Sequence, residues 1–181
     1  MTSSPDSFSL LQRVLHWLMA IMVLAMLFIG VTMVSTLKPR FLILLAIHKP
    51  LGLAILVLAL VRLGVRLKRG VPPLPEDLPS VQVDAAKLSH IALYALLIAM
   101  PLIGWGMLSA GGYPIALFGS FHLPGILPQD DRLYALLRTA HTLFAYAFFA
   151  TILLHIAAAL FHALIRRDGV LRTMTGRGVR G

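Results

Sequence analysis

The sequence predicts an all-α integral membrane protein, a bundle of four helices with both termini on the cytoplasmic side. Of its 181 residues, 59% are hydrophobic and 13% charged, against roughly 25% charged in a soluble domain, which excludes a water-soluble globule. The apolar residues fall into four blocks, each long enough to cross the about 20-residue hydrocarbon layer. Asp6, Glu76, Asp77, Asp84, Asp130, Asp131 and Asp168 all lie outside those blocks. No carboxylate is then available at membrane depth for a di-iron centre, an intramembrane proton relay or paired acid/base catalysis. The chain has no cysteine, so thiolate haem ligation, iron–sulfur clusters, disulfides and thiol catalysis also drop out. Length fits one domain, with no internal repeat or low-complexity tract.

The first span, 14–34, is interrupted only by His16 and Thr32. It is too long for the h-region of a signal peptide and no convincing small-residue cleavage site follows, so it is expected to stay in the mature protein. The second, 41–63, carries His48, Lys49 and Pro50 near its start, where a proline is expected to fall in the first turn and lose no hydrogen bond. Residues 66–87 hold Pro72, Pro73, Pro75 and Pro79 and predict an extended polar connector. The third span, 88–108, contains Pro101 and Gly104-Trp105-Gly106, which should loosen or kink it. Residues 110–131 mix glycine and proline with apolar side chains and predict a structured loop at the membrane surface. The fourth span, 133–165, has no proline and exceeds a crossing, so it should tilt or project.

An even number of spans puts both termini and the 66–87 loop on one face. That face holds eleven of the 16 basic residues, Arg13, Arg62, Arg66, Lys68, Arg69, Lys87, Arg166, Arg167, Arg172, Arg177 and Arg180, while Lys38, Arg40, Lys49, Arg132 and Arg138 lie on the other. The excess predicts cytoplasmic termini and a periplasmic 110–131 loop. The net charge of +9 therefore reports orientation and headgroup contact with the lipid bilayer, not nucleic-acid binding.

The remaining chemistry belongs to histidine. Of His16, His48, His90, His122, His141, His155 and His162, all but His122 fall within or at the edge of a span. An ionisable group at that depth is a functional candidate, although a lone interfacial imidazole often bonds only a neighbouring helix or headgroup. His141 and His155 are 14 residues apart, which places them on nearly one helix face about 21 Å apart along the axis. His16 and His48, on other helices, match their depths and predict the pairs His16 with His155 and His48 with His141. Facing neutral imidazoles are the donor set of a bis-histidine b-type haem, whereas zinc needs three or four ligands converging on one point. His162, seven residues past His155, and His90, at the start of the third span, could replace a ligand in the inner pair. With His162 as partner level, the two centres would lie about 31 Å apart, which disfavours it. Arg62, 14 residues after His48, should share its helix face at the inner depth and suit a propionate; ordinary snorkelling fits Arg62 equally well and fits Arg66 better. Trp17, Tyr94 and Trp105 read as belt or core aromatics, and Met19, Met22 and Met26 as core filling.

Arg13-Val-Leu-His16-Trp17, Ile47-His48-Lys49-Pro50-Leu51-Gly52, Val61-Arg62-Leu-Gly-Val-Arg66 and Leu154-His155-Ile-Ala-Ala-Ala-Leu-Phe-His162 together resemble bacterial cytochrome b561 over nearly the whole chain. The resemblance implies a four-helix cytochrome of the bacterial inner membrane with two b haems, His16, His48, His141 and His155 being the axial ligands. His90 and His162 are then non-ligand histidines near the cytoplasmic side, able to help protonate a quinone. In the small di-haem members it most resembles, electrons pass from superoxide to ubiquinone, which would make the protein an oxidoreductase. The outer basic residues outnumber Asp130 and Asp131 and suit an anionic donor, although headgroup binding would use the same cations. The alternative is an anchor subunit that carries electrons between a partner dehydrogenase and the quinone pool. A haem-free transporter or scaffold is disfavoured by the depth pattern of the histidines.

Overall fold

The computed structural model describes residues 7–36, 39–113, 115–117 and 121–176. Asp6, Lys38, Arg177 and Arg180 lie outside the described residues. Four long helices dominate: α1 (Leu10–Val34), α2 (Arg40–Arg69), α3 (Ser80–Ala110) and α4 (Asp131–Leu160). A π-helical turn, Phe161–Arg166, extends α4, and a short α5 (Val170–Thr175) follows. Each long helix, α4 together with its π-helical extension, is long and apolar enough to cross a membrane. Two short strands, β1 (Ile115–Leu117) and β2 (Phe121–Leu123), pair antiparallel with Ala116 opposite His122.

The burial pattern is that of a lipid-facing bundle. Phe28 and Leu154 are 74% and 70% exposed, which water would not tolerate along whole helices but a bilayer does. The interior is a slim column of Met19, Val23, Ile55, Ala59, Leu97 and Phe148 halfway along the bundle. Helix α1 packs along α2, α2 along α3 and α3 along α4. No comparably close backbone approach joins α4 to α1 or α2 among the described residues, so α4 is supported mainly by α3.

Two polar ties set the helix registers. Ser9 and Gln12 form a reciprocal capping box at the start of α1, satisfying donors that the first turn leaves free. The Gln12 side-chain amide also donates to the Gly70 carbonyl at 2.9 Å, which fastens the start of α1 to the end of α2 one turn before His16. At the opposite end Asp130 Oδ1 accepts from Leu133 N at 2.7 Å, and Asp130 N donates to the Ala110 carbonyl at 3.0 Å. That bond hangs α4 from the end of α3.

Several expectations change. The helices outrun the apolar spans: residues 66–69 continue α2 and 80–87 belong to α3, leaving a connector of only 70–79. Hydropathy marks where side chains leave lipid, and a helix continues into the headgroup layer as long as its backbone bonds are made. For the same reason Pro50 is not in a first turn. It is the eleventh residue of α2, where it removes the donor that the Ala46 carbonyl would otherwise receive. Helix α3 is likewise one continuous helix through Pro101 and Gly104-Trp105-Gly106. The 110–131 loop contains the hairpin, which turns the buried Ile115 and Leu117 toward α2. It is laced to α3 by Trp105 Nε1 donating to the Pro124 carbonyl at 2.9 Å and by Ile126 N donating to Ser109 Oγ at 3.1 Å.

Candidate functional site

The start of α1, α5 and the 70–79 connector share one end of the bundle, the termini end, and the hairpin lies at the other. Near the hairpin end the imidazoles of His48 on α2 and His141 on α4 face each other, ring centres 6.3 Å apart and planes at 66°. Near the termini end His16 on α1 and His155 on α4 repeat the arrangement at 6.4 Å and 68°. The structure thus brings together the two pairs expected from spacing. On α4, Phe148 of the buried column stands seven residues from each histidine and separates the two levels.

An imidazole nitrogen binds a first-row metal ion at about 2.0–2.1 Å and lies about 1.1 Å from its ring centre, so two imidazoles across one ion have centres about 6.3 Å apart. Both pairs have that separation. The Nδ1 atoms of His16 and His48 are buried with no hydrogen-bond partner, and buried polar atoms normally have one. Both pairs also span the interval between α4 and α1 or α2, where the backbones stay apart. Gly104 of α3 borders this space, since a Cβ there would stand 3.4 Å from His141 Cε1. No group of three or more histidine or acidic side chains among the described residues could hold a metal ion. The donor set fits a group held from two opposite sides, as a bis-histidine haem is, and does not fit a zinc site.

His90 on α3 also reaches His155, with ring centres 5.6 Å apart. This is closer than two imidazoles across one ion, so His90 fits a flanking position better than a ligand position. His162 does not join the inner pair. The turn Phe161–Arg166 is π-helical, which shifts the face on which residues after Leu160 project, and His162 Nδ1 contacts Asp168 Oδ2 at 2.5 Å. His122 lies on β2, opposite Ala116.

Arg62 stands where the 14-residue spacing from His48 put it. Its guanidinium lies over the ring of Tyr94, 5.5 Å from the centroid, and that of Arg66 lies 5.8 Å away. Neither arginine has a carboxylate within ion-pair distance among the described residues. The Tyr94 hydroxyl is buried without a partner. Phe8, Gln12 and Met174 close a small cleft around these three side chains. Two cations and a phenol without an internal counter-charge form a receptive site for a carboxylate. Trp17, edge-on to His16 at 5.2 Å, donates its indole N–H to the Met174 carbonyl at 3.1 Å, so it pins α5 over α1. Sequence reasoning missed Asp168, whose partners become apparent only once the π-helical turn is seen.

A family model described as prokaryotic cytochrome b561 matches residues 7–177. Cytochrome b561 homolog 2 of Escherichia coli (strain K12) is 30% identical over 97% of this chain and 95% of its own length. Cytochrome b561 homolog 1 of the same strain is 28% identical over 95% of the chain and 98% of its own length. A protein of Yersinia pestis named probable superoxide oxidase CybB is 34% identical over 71% of this chain and 72% of its own.

Proposed function

Because the chain belongs to the prokaryotic cytochrome b561 family, a family of membrane electron-transfer proteins that bind haem b, we propose that it is a di-haem oxidoreductase passing electrons from superoxide to ubiquinone. The observation that carries this reading is the repetition of one geometry at two depths: 6.4 Å for His16 and His155, 6.3 Å for His48 and His141. On this reading His16 and His155 would hold the inner haem and His48 and His141 the outer one. Haem b, when bound, supplies an iron that takes up and releases one electron at a time.

The chain's own residues do the rest. Four neutral imidazoles at membrane depth provide ligands without burying net charge. Helix α4 presents His141 and His155 about 21 Å apart along its axis, with Phe148 between them. Arg62 and Arg66, both beside Tyr94, would receive a propionate at the inner site, and His90 flanks His155. At the hairpin end Arg40, Lys49, Arg132 and Arg138, with Lys38 outside the described residues, draw an anionic donor toward His48 and His141. The relative named for superoxide oxidase activity supports that donor. The excess of basic residues at the termini end supports a cytoplasmic location for it, and so a periplasmic donor side in the bacterial inner membrane.

The reading is tested by reconstituting the purified protein in vesicles with ubiquinone, generating superoxide outside and following quinol formation. Formation that stops on adding superoxide dismutase supports it. Superoxide-independent reduction that requires a copurifying dehydrogenase would transfer the role to an anchor subunit.

A further inference from the structure

A groove of about 580 Å³ lies on the outside of α1, where residues 174–176 of the tail cross it. Its volume falls within the range of small-molecule sites, about 300–1,000 Å³. Leu10, Val14, Leu18 and Ile21 form its apolar wall. They succeed one another at helical spacing along a single face, and all four are exposed. From Arg13 to Ile21 that wall descends about 12 Å at 1.5 Å per residue, most of the way through one half of an about 30 Å hydrocarbon layer.

A single cation stands at the mouth of the groove. Arg13 makes no ion pair among the described residues, and its Nε is buried with no hydrogen-bond partner. A freely snorkelling arginine would carry its whole head into the headgroup layer and be satisfied there. This one is held in place. Gly176 packs against the guanidinium with φ 78°, and a Cβ at that position would collide with Arg13 Nη1. Glycine alone suits both the left-handed backbone and the close approach. Trp17, one turn after Arg13 on the same face, donates its indole N–H to the Met174 carbonyl at 3.1 Å and so fixes the tail along the groove.

We infer that this groove binds an anionic phospholipid, with its phosphate accepting from the Arg13 guanidinium and one acyl chain lying along Val14, Leu18 and Ile21. Phosphate oxygens match the fork of guanidinium donors and supply the partner that Arg13 lacks. The apolar wall beyond the cation suits a hydrocarbon chain, and free phosphate would use only the mouth. No acidic side chain lines the groove, so nothing there receives the ammonium of a zwitterionic headgroup. A ubiquinone tail would cover the same wall, but its neutral head would leave the Arg13 charge unmatched. The bound lipid touches both α1 and the tail, so its binding should stabilise the folded protein.

The test uses the purified full-length protein, stripped of lipid in detergent and offered equimolar dioleoyl phosphatidylglycerol and dioleoyl phosphatidylcholine. Native mass spectrometry should find one phosphatidylglycerol retained per chain, in about 10-fold excess over phosphatidylcholine, the scale of one charge-assisted hydrogen bond. Arg13→Gln should abolish the preference and Arg13→Lys should keep part of it. Leu18→Trp, which leaves the cation in place and fills the groove, should weaken retention of phosphatidylglycerol. Optical spectra should be unchanged in all three variants. Phosphatidylglycerol should raise the melting temperature of the wild type more than that of Arg13→Gln, and equimolar inorganic phosphate should not displace the lipid. Equal retention of the two lipids, an Arg13→Gln variant as selective as wild type, or displacement by equimolar phosphate would overturn the inference. Displacement by equimolar ubiquinone would overturn it as well and give the groove to the quinone.

Discussion

His48 and His141 face each other across α2 and α4 with ring centres 6.3 Å apart, and the pair His16 and His155 reproduces that distance within 0.1 Å at the other end of the same bundle. Core packing alone has no reason to repeat an imidazole-to-imidazole separation at two depths. A ligand of fixed thickness does.

Each pair should act independently, because the two are separated by the column around Phe148. His141→Ala should remove the outer haem and leave the inner one, and His155→Ala the reverse. Haem content and the optical spectrum of each purified variant check this. Loss of both haems from either variant, in a protein that still folds, would mean one shared site.

Gly104 gives a steric test that leaves every ligand in place. Its Cβ would stand 3.4 Å from His141 Cε1, so Gly104→Ala should be tolerated with two haems. Gly104→Leu carries three further carbons into the space beside the imidazole and should cost the outer haem only. Absorbance at the haem bands and thermal unfolding of the detergent-solubilised variants separate loss of cofactor from loss of fold.

Charge at the hairpin end tests the donor. If outer cations steer superoxide, quinone reduction should slow as ionic strength rises from about 0.01 to 0.15 M, where the screening length falls from about 30 to 8 Å. Replacing Lys38, Arg40 and Arg132 with glutamine should slow the same rate without altering either haem spectrum. A salt-independent rate, or a triple variant as fast as wild type, favours the dehydrogenase-anchor role.

Asp168 also predicts a pH dependence of stability. Its carboxyl is held below the usual range, so its contribution is fully present above the unfolded-state value of about 3.9 and is lost as pH falls through the lower folded value. Asp168→Asn should therefore destabilise the protein at pH 7 by about 1–2 kcal/mol. The difference should shrink as both proteins are titrated toward about pH 3. Thermal melts across that window measure it, and a pH-independent difference would assign the effect to packing instead of charge.

What could be read from the sequence follows from what a periodic pattern encodes. Four crossings and the depths of His16, His48, His141 and His155 were legible because an uninterrupted helix turns spacing into position. The place of His162 was not, since one π-helical turn after Leu160 breaks the periodicity that set it seven residues beyond His155. The polar ends of α2 and α3 resemble connector in sequence because hydropathy reports lipid contact and not backbone hydrogen bonding, and the same limit places Pro50 in a first turn. The hairpin is two three-residue strands, too short for an alternation to be visible. The closeness of His90 to His155 depends on the packing of α3 against α4, which no local signal sets.

The central claim is that this bundle carries two bis-histidine haems. It is tested most directly by the amount and spin state of haem b in the purified protein, measured against protein concentration. Two low-spin haems per chain, extractable with acid-acetone because the chain has no cysteine for covalent attachment, is the result expected. One haem per chain, a high-spin spectrum or a colourless protein would contradict it.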